Sequence, residues 1–269
     1  MGWDQVGTRE VIFSIKQEDF QKYQRELYTP DNLVIAIAGN VNHEEMVAKV
    51  EKYFAELPVK KKAYSHKPLE NYVPEKRVFL RTKKTEQSHL CVGFPIVSEA
   101  HPDYAAMKVL SVILGGGMSS RMFMSVREDK GLAYYTHSSV DGFTDSGLFV
   151  TNAGVDVKRI DDALAAVIAE YNKVTTEEVP ETELRKAKEY IKGKTILKLE
   201  DCEEYAHLLG KYDILYGKIH TPEELLEEIE KVTAADLMRL AKQFFVKEKM
   251  FISVIGPYED EGQFTKFFG

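Results

Sequence analysis

The sequence predicts an α+β fold made of two homologous units, the first of them incomplete, and three observations point there. In the main body of the chain strand-like runs come first and helical patterns follow, which is the order of an α+β domain rather than of a doubly wound sheet. A segment near the start, IKQEDFQKYQRELYTPDNLVIAIAG (Ile15–Gly39), aligns without gaps on VTAADLMRLAKQFFVKEKMFISVIG (Val232–Gly256). Asp19 falls on Asp236 and Gly39 on Gly256, a constant offset of 217 residues, and duplication explains such a register more easily than chance. Between these copies Pro58, Pro68 and Pro74 stand among lysines and polar residues, the composition of a linker. A second copy beginning near Glu75 sets the start of the first about 140 residues before Met1 at that period. The chain therefore reads as the last third of one domain (1–57), a linker (58–74) and one whole domain (75–269).

Each element has a local reason. SIKQEDFQKYQRELY carries Phe20, Tyr23 and Leu27 at helical spacing, and NLVIAIAGNV, opened by Pro30 and ended by Gly39, reads as a buried strand. Asn42 caps HEEMVAKVEKYFAEL, with Glu45 three residues on completing a capping-box pattern. RVFLRT and SHLCVGFPIV are strands, and a helix runs from about Asp103 to Leu114. Gly115–Gly117 end that helix, Ser119 or Ser120 caps a short second one through SSRMFMSVRED, and Gly131 ends it. LAYYTHSSVDG and SGLFVTNAGV pair across the turn DGFTDSG. From Lys158 the chain is nearly all helix until MFISVIG closes it as a strand. One third of a domain cannot cover its own sheet, so residues 1–56 are expected to expose Leu33, Ile35 and Ile37 unless these pack on the whole domain or on a second copy.

Composition excludes several classes. At 269 residues, 44% hydrophobic and 29% charged, the chain is an ordinary globular one. Its longest apolar runs are far short of the ~20 residues that span a membrane. MGWDQVGTRE has neither the basic start nor the apolar core of a signal peptide. Two cysteines build no disulfide framework and fit a reducing, cytoplasmic location. A net charge of −7, spread along helices such as TPEELLEEIEKV, argues against a nucleic-acid surface.

The Gly-rich stretch LGGGMSSR is not a nucleotide site. A Walker loop needs a lysine where Met118 stands, and both phosphate-binding loops follow a strand rather than a helix. No two histidines lie four apart, and NHEEM lacks a second histidine, so no complete metal site is encoded. There is no G-x-S-x-G elbow, and neither Cys91 nor Cys202 has an activating context. What remains is SRMFMSVREDKGLAYYTHSSV, where helix, turn and strand can bring Arg127 and Tyr134 to one cavity. A guanidinium and a phenol together suit peptide carbonyls or an oxyanion forming in acyl transfer. The plainer alternative is that Arg127 pairs with Glu128 or Asp129 and Tyr134 only packs.

That last segment resembles the Arg–Tyr segment in the C-terminal domain of the pitrilysin/insulinase-type zinc metallopeptidases, among them the mitochondrial processing peptidases. Arg127 and Tyr134 match its seven-residue spacing across a Gly-Leu turn. GWDQVGTREVIFSIKQEDFQKYQRELYTPDNLVIAIAGNVNHEEM is similar to the end of the family's N-terminal domain, and TEQSHLCVGFP to the strand that opens its C-terminal domain. The resemblance implies two homologous α+β domains, each with a mixed sheet and a helical layer, as in processing peptidases and the LuxS-like metallopeptidase fold. It implies zinc held by H-x-x-E-H and a further glutamate in the N-terminal domain, outside this chain. HPDYAAMKVL, at the equivalent place in the second copy, has one histidine and no partner. The chain is thus expected to bind no zinc, to contain no catalytic residue and to offer Arg127 and Tyr134 to peptide substrate. It would act as the substrate side of a longer zinc enzyme or, alternatively, as a non-catalytic binding or assembly subunit. Expected partners are a peptide, the catalytic domain or a second copy, with no nucleic acid and no membrane.

Overall fold

Among the described residues, period-two alternation in the body of the chain resolves into five strands, β1 (Val78–Thr82), β2 (Gln87–Ile96), β3 (Ala133–Gly142), β4 (Gly147–Asp156) and β5 (Phe251–Gly256). The structure is a computed structural model that describes residues 6–57, 61–63, 67, 69 and 76–269. The chain divides into two compact units, Met1–Lys67 with Glu200–Ile219, and Pro68–Leu199 with His220–Gly269. Most of the 58–74 linker expected from its prolines lies outside the described residues.

The larger unit is an α+β layer structure. Its strands form one mixed sheet in the order β1-β5-β2-β4-β3, with β1 parallel to β5 and every other pair antiparallel. The helices α4 (Tyr104–Gly115), α5 (Ile160–Thr176) and α9 (Ala234–Phe244) cover one face, with α6 (Glu181–Lys198) and α8 (Pro222–Lys231) packed against α4. Their periodic apolar stripes bury Met107, Leu110, Leu114, Leu164, Leu237 and Leu240, each worth roughly 2 kcal/mol of burial. Phe94, Phe149, Tyr171 and Phe245 form the centre of the core, with ring centroids between 4.8 and 5.9 Å apart and, in all but the tilted Phe94–Phe245 pair, edges turned to faces. The opposite face of the sheet leaves Phe79, His89, Tyr135 and His137 exposed.

The smaller unit holds α1 (Arg9–Ser14), α2 (Gln17–Leu27), α3 (His43–Phe54) and α7 (Cys202–Tyr216). Asn42 caps α3, accepting from the Glu45 amide at 3.1 Å, but the reciprocal Glu45 bond of the expected capping box is not formed. The 217-residue register is reproduced in the backbone. α2 and α9 have equivalent bounds, each starts with a main-chain amide donating to the aspartate three residues on, and each ends at an aromatic with φ near −86. Their burial differs completely. Leu237 and Leu240 are 0% exposed, whereas their counterparts Phe20 and Tyr23 are 63% and 59% exposed.

The NLVIAIAGNV segment departs from its expected form. Leu33 has extended dihedrals, but residues 33–38 join no ladder among the described residues. Val34 and Ala36 face Gly210 of α7, while Leu33, Ile35 and Ile37 are 39%, 40% and 48% exposed. Alternating apolar residues favour a strand only where a neighbour supplies hydrogen-bond partners, and no described residue of this unit does so. No helix among the described residues is long and apolar enough to cross a membrane.

Candidate functional site

The site is built on the segment that leaves α4. Gly115 ends that helix, and the glycine run keeps ordinary helical dihedrals at Gly116, with φ −80. What Gly115 supplies is closeness, since a Cβ there would lie 2.3 Å from the Ser138 nitrogen. Tyr190 of α6 donates its hydroxyl to the Gly116 carbonyl at 2.8 Å. Ser120 caps nothing, contrary to expectation. Its hydroxyl donates at 2.6 Å to the Gly117 carbonyl and closes a turn, and the following helical segment has no side-chain cap.

That segment, Phe123–Asp129, is a π-helix rather than an α-helix. Such wide turns are rare and recur at functional sites because one extra residue per turn redirects side chains. Arg121 fixes its start by a two-pronged bond to Glu183 of α6, at 2.9 and 2.7 Å. The same carboxylate holds the Arg121 pKa above its ordinary value. The segment ends at Gly131, whose φ of 55 is left-handed. Gly131 donates to the Arg127 carbonyl at 3.1 Å and Leu132 to that of Val126 at 2.9 Å. These nested bonds are each one residue wider than in the turn that closes an α-helix, as a π-helix requires.

Arg127 lies in this wide turn. Its guanidinium sits over the Phe123 ring, 4.6 Å from the centroid, and its Nε is 3.7 Å from Glu128 Oε1. The pairing with Glu128 is long and solvent-facing, so it leaves most of the fork's donors open to a ligand. Tyr134 occupies a second irregularity. Ala133 pairs with Val155 and Tyr135 with Gly154, so Tyr134 is the extra residue of a β-bulge and is 63% exposed. Its neighbour Tyr135 is spent on His89 Nδ1 at 2.9 Å, and partial burial raises its pKa above 10. Both candidate residues thus stand on local departures from regular structure, joined by one left-handed turn, with exposed polar ends. Each carries a donor of the kind that meets a carbonyl, a carboxylate or an oxyanion.

Nothing in the site fits a metal. Among the described residues no three His, Cys, Asp or Glu side chains group so as to hold one. At the head of α4, His101 Nδ1 accepts from the Asp103 amide at 3.0 Å. The Asp103 carboxylate is gripped by both terminal nitrogens of Arg239, at 3.1 and 2.6 Å. The only histidine of HPDYAAMKVL and its nearest carboxylate are therefore committed elsewhere.

Sequence reasoning missed the π-turn and the bulge. It also missed Arg159, whose Nη1 donates to the Gly131 carbonyl at 3.1 Å and Nη2 to that of Lys130 at 3.3 Å. A contact across 28 residues to main-chain oxygen leaves no pattern in the chain.

Residues 14–191 match the family model described as the peptidase M16 inactive domain. The chain is 32% identical over 257 residues to the uncharacterised zinc protease YmxG of Bacillus subtilis, covering 96% of this chain and 62% of that protein. It is also 32% identical over 267 residues to an uncharacterised zinc protease of Streptomyces coelicolor, with coverage of 97% and 58%. The chain thus spans about three fifths of the length of these curated relatives. The crystal structure of a peptidase M16 inactive domain from Pseudomonas fluorescens superposes with a TM-score of 0.85 at 21% identity, covering 95% of this chain and 61% of that one. A chain of complex III2 from Candida albicans superposes with a TM-score of 0.83 at 19% identity, covering 99% and 66%.

Proposed function

The chain belongs to the peptidase M16 family, and from that premise we propose that it is the substrate-binding, non-catalytic part of a zinc-dependent metalloendopeptidase that degrades or processes peptides, silent when it stands alone. Zinc and the base that activates water belong, in this reading, to the catalytic domain of the longer enzyme. The observation that carries the reading is the Arg127–Tyr134 arrangement, a wide π-turn and a β-bulge presenting a guanidinium and a phenol to solvent, with no metal set among the described residues. In the whole enzyme these donors would meet the carbonyls of a bound peptide, or the oxyanion formed as one is attacked. The free thiols Cys91 and Cys202 agree with a cytoplasmic setting.

The test is peptide binding by the purified chain, read by fluorescence anisotropy of a labelled unstructured peptide. Saturable binding is expected, weakened about tenfold or more by Arg127→Ala and by Tyr134→Phe. No cleavage is expected with or without added zinc. Chelator-sensitive cleavage by this chain alone, or binding indifferent to both substitutions, would overturn the reading.

A second reading, a non-catalytic binding or assembly subunit, is favoured by one observation. The apolar residues Leu33, Ile35, Ile37, Phe20 and Tyr23 are exposed and available to a second copy or to a catalytic chain. Concentration-dependent mass by light scattering, combined with no peptide binding, would favour this reading over the first.

A further inference from the structure

We propose that Arg159 is a positioning residue for Arg127 and Tyr134, fixing from outside their segment the turn that joins them. The inference rests on reading that pair as the peptide contact. Arg159 closes a single 3-10 turn, Val157–Arg159, between β4 and α5. Its guanidinium reaches the two consecutive carbonyls of Lys130 and Gly131, and it makes no ion pair with a described carboxylate.

Those two oxygens lie where the backbone is least determined by regular structure. The end of a helix leaves carbonyls without intrahelical partners, and here the turn is one residue wider than usual. Lys130 follows the last π-helical residue, and Gly131 adopts a left-handed φ of 55 with nothing within 4 Å of where a Cβ would lie. Neighbouring packing therefore does little to hold Gly131. Arg127 precedes the turn and Tyr134 follows it, so rotation about Gly131 swings one side chain relative to the other. A planar fork bonded to adjacent carbonyls resists that rotation, and its positive charge suits the negative end of the helical segment. A lysine supplies the charge but not the two-point geometry.

The test uses the whole 269-residue chain with Arg159→Ala, Arg159→Lys, Tyr134→Phe and the double variant Arg159→Ala/Tyr134→Phe. Anisotropy of a labelled unstructured peptide and hydrogen exchange of the 131–134 amides are the readouts, with melting temperature as the control. Arg159→Ala is expected to weaken peptide binding about tenfold and to speed exchange at 131–134 by a similar factor. Arg159→Lys should stay close to Arg159→Ala, and the double variant should bind within about twofold of Tyr134→Phe alone. Unchanged exchange at 131–134 overturns the proposal, as do binding losses of Arg159→Ala and Tyr134→Phe that add in full. If Arg127→Ala and Tyr134→Phe leave binding untouched, or no peptide binds, the functional reading falls instead, and the exchange result alone decides whether Arg159 holds the turn. Where Arg159→Ala does not fold, Arg159→Gln, which keeps one donor, serves in the same comparison.

Discussion

Gly115 packs so closely on Ser138 that a Cβ added to it would lie 2.3 Å from both the main-chain nitrogen and the hydroxyl oxygen of that residue. Contact at that distance with backbone cannot be relieved by a rotamer change, so α4 and β3 would have to separate. Gly115→Ala is expected to cost about 3 kcal/mol or more, a fall of several degrees in melting temperature. Gly131→Ala meets no atom within 4 Å and costs only its left-handed φ, about 1 kcal/mol. Thermal unfolding followed by circular dichroism checks the pair, and equal losses would contradict the assignment.

A buried chain of hydroxyls makes the second case. Thr151 lies 2.7 Å from the Ser138 hydroxyl and 2.5 Å from that of Tyr171. Thr151→Val strands two buried polar groups at once and is expected to cost about 2 kcal/mol. Tyr171→Phe leaves the Ser138–Thr151 bond intact and is expected to cost about half as much. Urea unfolding of the two variants gives the order, and a milder Thr151→Val would refute it.

Much of the fold was legible in the sequence because its signals are local. The alternation in SHLCVGFPIV and LAYYTHSSVDG marks β2 and β3, and the same helix register at residues 17–27 and 234–244 marks the repeat. Elsewhere a local signal had no way to report its partner. Leu33, Ile35 and Ile37 carry the pattern of a buried strand, but a pattern states what a segment can bury and not whether a neighbour is there to bury it. Ser120 has the composition of a cap, yet its hydroxyl turns back to Gly117. FMSVRED contains only residues an α-helix accepts, so nothing in it announced a π-turn. Arg127 and Tyr134 could be singled out by spacing, whereas the bulge at Tyr134 depends on β4, across the turn at residues 143–146.

Acid stability should depend on Asp103. The Arg239 guanidinium, bonded to both carboxylate oxygens, holds the Asp103 pKa below its ordinary 3.8 against a smaller opposing effect of burial. A carboxylate whose folded pKa is depressed contributes stability in full above its unfolded value and loses it as pH falls through the folded one. The pair is solvent-facing, so the contribution is below about 1 kcal/mol. The advantage of the wild type over Asp103→Asn should be constant from about pH 7 to pH 5, shrink as pH falls through the ordinary 3.8 and vanish once pH is below the depressed folded value. Urea unfolding across that range tests it, and an advantage that grows on acidification would contradict the sign.

The exposed side of the smaller unit predicts a different response. Leu33, Ile35 and Ile37 are 39%, 40% and 48% exposed, so replacing all three with threonine removes only part of the burial that a core substitution would remove. The β-branched substitute also keeps the extended backbone. The triple variant should melt within about 2 °C of the wild type, bind less of a hydrophobic dye and associate less in light scattering. A loss near the 2–5 kcal/mol of buried large-to-small changes would mean that these side chains are covered in solution.

The two cysteines should separate by reactivity. Burial, aided by the nearby Asp141 charge, pushes the Cys91 thiol up to about 11. At pH 8 such a thiol is ionised in roughly one molecule per thousand, and the thiolate is the reactive form. Cys202 opens α7 and is exposed. A disulfide reagent at pH 8 should therefore modify one thiol quickly and the second only slowly, with the slow rate rising about tenfold per pH unit. Unfolding in guanidinium should merge the two phases. Cys202→Ser should abolish the fast phase and leave the slow one, and a fast phase that survives that substitution would show Cys91 to be accessible and ionised.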